Sequence, residues 1–171
     1  MIEGRIIIKN VDETRKIVES LGGIFQNSYA CKDIIYVPLK ESFDLTDDVL
    51  RIRLDQSSSK VIVARKQAEL SGDGKIDNII LKKDFESVED ARSFIRSELP
   101  DFKEGFEYSR DGWRYKLENA DIYIEDIHEW APSVEIECGS AEILDELMTK
   151  IGYVKIIKSS MAEAMRKILN K

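Results

Sequence analysis

Val49-Leu50-Arg51-Ile52-Arg53-Leu54 is the stretch whose reading decides the fold. Leu50, Ile52 and Leu54 alternate with Arg51 and Arg53, the period of a β-strand. One face is apolar and the other carries two guanidiniums, which repel each other unless carboxylates, an anionic ligand or water intervene. In Val134-Glu135-Ile136-Glu137-Cys138 the apolar residues alternate in the same way with two carboxylates, and Asp121-Ile122-Tyr123-Ile124-Glu125 puts Glu125 on its polar face. The simplest sheet that uses all three turns its charged faces together and lays its apolar faces under helices.

The rest of the chain supplies both parts. Strands are expected over residues 5–9, 24–37, 60–66, 79–85, 106–117, 121–127 and 133–138, beside the arginine strand. Gly112, in the middle of the long sixth strand, suggests a bulge or a kink. Four helices are expected. Asp12 opens the first, Ser87 the second and Ser140 the third, and Ser160-Met161-Ala162-Glu163 forms a capping box for the last. Ser71-Gly72-Asp73-Gly74 reads as a loop; it lacks the strand-to-helix setting and the lysine of a phosphate loop. Eight strands in runs with helices between them imply an α+β fold with a mainly antiparallel sheet. An eight-stranded closed barrel with a polar interior and helices packed outside accommodates the charged faces and leaves no open edge.

Bulk properties narrow the function. A chain of 171 residues with 43% hydrophobic and 35% charged residues suits one globular domain over residues 1–171. A net charge of −7 gives no basic footprint for nucleic acid or an anionic membrane, so neither is expected as a partner. No apolar run approaches a membrane span, and no signal-peptide core opens the chain. Cys31 and Cys138 have neither metal spacing nor a disulfide framework, which points to a reduced, cytoplasmic protein. A monomer or a homodimer is expected. With His128 the only histidine, a zinc site built on histidines is excluded; His128 itself reads as a turn residue, and Cys138 as core.

The order of these residues resembles the CYTH superfamily, the triphosphate tunnel enzymes named for class IV adenylyl cyclases and thiamine triphosphatases. Leu50-Arg51-Ile52-Arg53 looks like the family's Leu-Arg-x-Arg signature. Lys66 sits near its strand lysine, with Arg65 nearly as good a candidate, and Arg110 resembles the arginine of its sixth strand. Glu125 lies ten and twelve residues before Glu135 and Glu137, the spacing of the family's penultimate-strand acid before its terminal Glu-x-Glu. Lys158 is similar to a late basic residue, and Lys9 to the lysine that ends the first strand.

The resemblance implies a tunnel that binds a triphosphate-containing small molecule. Lys9, Arg51, Arg53, Lys66, Arg110 and Lys158 would hold phosphates, and Glu125, Glu135 and Glu137 would hold Mg2+ or Mn2+. The residue types suit that chemistry: arginine presents a fork that matches phosphate, and a hard cation takes oxygen ligands. Either an adenylyl cyclase or a triphosphatase is implied. The departure is in the first strand. The family's Glu-x-Glu-x-Lys falls on Arg5-Ile6-Ile7-Ile8-Lys9, where both glutamates are missing; Glu3 has the right parity but comes two residues early. A tunnel that binds a polyphosphate or nucleotide with little or no turnover is therefore the alternative.

Overall fold

The computed structural model describes all 171 residues. Nine strands and four helices follow in the order β1 (Ile2–Ile7), α1 (Val11–Ser20), β2 (Ile24–Pro38), β3 (Asp48–Asp55), β4 (Val61–Ser71), β5 (Gly74–Phe85), α2 (Val88–Glu98), β6 (Phe102–Leu117), β7 (Ala120–Ile127), β8 (Ser133–Cys138), α3 (Ala141–Ile151), β9 (Lys155–Ile157) and α4 (Met161–Ile168). The strands form one sheet in the order β5-β4-β3-β2-β6-β7-β8-β1-β9, and β1 pairs β5 as well. That last pairing, with Glu3 opposite Lys75, closes eight antiparallel strands into the expected barrel. β9 is an addition that the sequence does not announce. Its three residues are too few to show a period, and it forms because β5 leaves the later edge of β1 open; β9 fills that edge opposite Arg5, Ile6 and Ile7.

Contacts divide the chain into two compact units, one of residues Met1–Tyr29, Glu69–Asp77 and Arg110–Lys158, the other of Ala30–Ala68, Asn78–Ser109 and Ser159–Lys171. In the first unit, Ile2 and Ile6 of β1, Ile122 and Ile124 of β7, and Val134 and Ile136 of β8 pack on Val18 of α1 and on Leu144, Met148 and Ile151 of α3. The approach of α3 explains Gly4: a Cβ there would lie 2.4 Å from Met148 Cε and 2.7 Å from Leu144 Cδ1. In the second unit, Ile34, Tyr36, Leu50, Ile52, Val61 and Val63 pack on Ala91 and Ile95 of α2. Each core thus takes one parity of its strands, as the alternation in β3, β7 and β8 requires.

Three local expectations change. The cap of α1 is Asn10, which accepts the Glu13 N–H, rather than Asp12. Ser87, Ser140 and Ser160 do cap α2, α3 and α4. Gly112 introduces no bulge, because the β6–β7 register runs unbroken from Arg110 opposite Ile127 to Leu117 opposite Ala120. It makes room for a ring instead: a Cβ on Gly112 would lie 2.2 Å from Tyr29 Cζ. Gly72-Asp73 is a tight hairpin turn between β4 and β5, with Gly72 at φ 60°. No helix is long and apolar enough to cross a membrane.

Candidate functional site

In the first unit the side chains of β1, β7 and β8 that point away from α1 and α3 are mostly polar, and cross-strand pairing arranges them in rows. Glu3 lies opposite Glu137, and Glu137 opposite Asp121. Arg5 lies opposite Glu135, and Glu135 opposite Tyr123. Ile7 lies opposite Ser133, and Ser133 opposite Glu125. Like charges directly across a strand pair are unfavourable, so the Glu3–Glu137 row needs a cation.

Glu3, Glu135 and Glu137 each direct a carboxylate oxygen into one cluster, and these oxygens all lie within 4.8 Å of one another. Lys75 of β5 reaches Glu3 at 2.8 Å and Asp77 at 2.7 Å. Burial, then the charge of Glu135, pushes the Glu3 carboxyl up to about 7 against the pull of Lys75. Burial lowers the Lys75 ammonium, but Glu3 and Asp77 outweigh it and hold the pKa above its ordinary value.

Glu125 is not part of this cluster. Its Oε2 accepts from Arg5 Nη1 at 2.7 Å and from Arg110 Nη1 at 3.4 Å, and its Oε1 accepts from the Tyr29 hydroxyl at 2.6 Å. Burial, reinforced by Glu125, pushes that hydroxyl far above the ordinary tyrosine value, so it stays a donor. Arg5 is buried and also donates to Ser133 Oγ at 2.8 Å and to Glu135. Burial disfavours its charge, but Glu135 and Glu125 more than restore it. The ring of Tyr29 fits over Gly112, which lies directly opposite Glu125 in the β6–β7 pair.

The remaining expected residues of this unit lie elsewhere. Lys9 falls two residues beyond the end of β1 and is exposed, so the basic side chain that this strand places among the carboxylates is Arg5. Lys158 is 61% exposed and pairs with Asp73 of the β4–β5 turn at 3.0 Å. His128 is exposed and contacts Asp111 at 2.9 Å, while Cys138 is buried in the core, and both match their sequence reading.

In the second unit the register places Arg53 opposite Asp33, Arg51 opposite Ile35 and Lys66 opposite Val49, all on the face turned away from α2. Asp33 is 1% exposed and takes a bidentate pair of bonds from Arg53, Nε to Oδ1 and Nη2 to Oδ2, both 2.7 Å. Arg51 Nη1 stands 3.7 Å from the same carboxylate. Arg65 has the opposite parity. It is bidentate to Asp48 at 2.9 and 2.6 Å and lies 4.9 Å above the Phe102 ring, so Lys66 is the residue that shares the face of Arg51 and Arg53.

Sequence reasoning reached Glu3 by its parity and left its role open. Arg5, Lys75 and Tyr29 were not among the expected site residues, because each acquires its role from the strand laid beside it.

No family profile and no curated protein matches the sequence. Solved structures do match along nearly the whole chain. The PH1819 protein of Pyrococcus horikoshii superposes with a TM-score of 0.79 at 19% identity, covering 97% of this chain and 98% of that one. An adenylate cyclase candidate of Vibrio parahaemolyticus gives 0.70 at 14% identity, covering 99% and 97%. HpAC1 of Hippeastrum, an adenylyl cyclase candidate with a dominant triphosphatase activity, gives 0.63 at 13% identity, covering 99% and 96%. At these identities the likeness is one of fold.

Proposed function

We propose that this chain, whose closed antiparallel barrel and structural neighbours fit the CYTH superfamily, binds a triphosphate together with a divalent metal and acts on it as a triphosphatase or a nucleotidyl cyclase. The observation that carries the reading is the convergence of Glu3, Glu135 and Glu137. Carboxylate oxygens are the hard donors that Mg2+ or Mn2+ takes, and the three seen here lie near enough to one another that they would share one ion. The metal ligands are therefore assigned to Glu3, Glu135 and Glu137, with Glu125 replaced by Glu3 in the expected set. When bound, the ion offsets phosphate charge and polarises the phosphorus.

The chain's own groups do the rest. Lys75 orients Glu3, and Arg5 and Arg110 fix Glu125. On the face of β3 and β4, Arg51, Arg53 and Lys66 are the cations assigned to phosphate oxygens. Arg53 is pre-set in orientation by Asp33, so little side-chain freedom is lost on binding. In the hydrolytic reaction, water oxygen bonds to the terminal phosphorus, the bridging P–O bond breaks, inorganic phosphate and the diphosphate leave, and the water's proton passes to solvent. In the cyclising reaction a ribose 3′-hydroxyl oxygen bonds to the α-phosphorus, the P–O bond bridging the α- and β-phosphorus breaks, pyrophosphate departs, and the hydroxyl proton passes to solvent. Positioning and electrostatics supply most of the catalysis in either case.

One observation favours a second reading, binding without efficient turnover. Arg5 engages Glu135, which the metal also needs. The test is to incubate the protein with ATP, thiamine triphosphate and inorganic triphosphate plus Mg2+ or Mn2+, assaying phosphate, pyrophosphate and cyclic AMP, and to measure triphosphate binding by calorimetry with and without metal. Metal-dependent binding with product supports the enzyme. Metal-independent binding with no product selects the second reading, and no binding of any triphosphate overturns both.

A further inference from the structure

We infer that the Arg5 guanidinium takes the place of a second metal ion, so that this barrel binds a single divalent cation. The inference rests on the metal centre proposed above and adds its stoichiometry. Arg5 is 4% exposed and joins three oxygen-bearing side chains, those of Glu125, Ser133 and Glu135. Carboxylate, hydroxyl and carboxylate together are a donor set for a hard cation. Here a fixed cation of the chain already occupies the space between them. Glu135 is the shared member: it belongs to the Glu3–Glu135–Glu137 cluster on one side and to the Arg5 network on the other.

Position along the strand explains why an arginine fits. Glu3 and Arg5 are two residues apart on β1, so both point to the face that Glu137 and Glu135 share on β8. The strand thereby sets a carboxylate beside Glu137 and a cation beside Glu135, one row apart. Arg110 and Tyr29 complete the coordination of Glu125 from the other side, which leaves this carboxylate saturated with donors.

The test counts ions in the full-length protein. Mn2+ is titrated by calorimetry, and the bound ion is examined by electron paramagnetic resonance. The wild type is expected to bind one Mn2+ per chain with the spectrum of an isolated ion. Arg5→Ala, which uncovers Glu125, Ser133 and Glu135, is expected to bind two, with spectral broadening from a neighbouring ion. Arg5→Lys keeps the cation and is expected to stay at one, which provides a measurement if the alanine variant does not fold. Two ions in the wild type or in Arg5→Lys, or one ion in a folded Arg5→Ala, overturns the inference and leaves the metal centre standing. No ion in the wild type removes the metal centre itself and the inference with it.

Discussion

Glu3 of β1 and Glu137 of β8 stand directly opposite each other in an antiparallel pair, two carboxylates facing across one rung. A protein that keeps such a pair half-buried keeps a repulsion, unless something positive comes to rest there. Lys75 offsets part of it from the β5 side.

The pair's dependence on a cation is measurable. Mn2+ or Mg2+ should raise the melting temperature of the wild type, since a ligand that binds only the folded state stabilises it. Glu3→Gln should bind Mn2+ at least about tenfold more weakly, as expected for loss of a direct ligand. In chelator the same variant should melt no lower than the wild type, because a repulsion has been removed. A variant that binds Mn2+ normally would show that Glu3 is not a ligand.

Gly112 and Tyr29 should be coupled. Gly112→Ala places a methyl 2.2 Å from Tyr29 Cζ and should cost about 1–3 kcal/mol as an overpacked site. Tyr29→Ala removes the ring that the methyl strikes, so the double variant should be more stable than the sum of the two losses predicts. Urea denaturation of the four proteins gives the coupling energy. Simple additivity would mean that the ring moves aside at no cost.

Arg51 and Arg53 should separate stability from binding. Arg53→Ala leaves Asp33, 1% exposed, without its bidentate partner, and a loss of about 3 kcal/mol is expected. Asp33→Asn in that background should recover part of it. Arg51→Ala removes only a 3.7 Å contact and should cost much less stability. Under the proposed function both alanine variants lose triphosphate affinity. Normal binding by both would mean that this face is not the phosphate site.

Acid should act through Glu163. Its carboxylate accepts from the Leu45 N–H at 2.9 Å and from Arg166 Nε at 2.9 Å, which ties α4 to the segment before β3. Burial opposes ionisation, yet the hydrogen bonds from Arg166 and Leu45 hold the carboxyl below its usual value. Below the ordinary glutamate range the unfolded chain binds a proton that the folded chain refuses, so stability falls as pH falls. The stabilisation is therefore present above the unfolded value, about 4.3 for an unperturbed glutamate, and is lost as pH drops through the lower folded value. Glu163→Gln should flatten the acid limb of a stability–pH curve measured by urea titration. An unchanged acid limb would remove Glu163 from the account.

How far the sequence can be read depends on whether each strand has one apolar parity or two. β3, β7 and β8 alternate cleanly, so the alternation alone identifies their inner residues, Arg51, Arg53, Glu125, Glu135 and Glu137. β1 does not alternate. Ile6, Ile7 and Ile8 are apolar on both parities, and the run offers no internal mark of where the strand begins. Pairing with β8 starts it at Ile2, and that shift brings in Glu3 and Arg5 and leaves Lys9 outside.

The chain by itself determined the α+β class, the four helices with three of their four caps, and the parity of the charged strands. These follow from local periodicity and from side chains that bond their own backbone neighbours. Tertiary structure alone decided that Glu125 belongs to Arg5, Arg110 and Tyr29, that Glu3 joins Glu135 and Glu137, and that Gly112 yields to a ring. Each of these joins residues far apart in sequence or on different strands. Such a contact is set by the register in which two strands hydrogen-bond, and neither strand carries that register in its own residues.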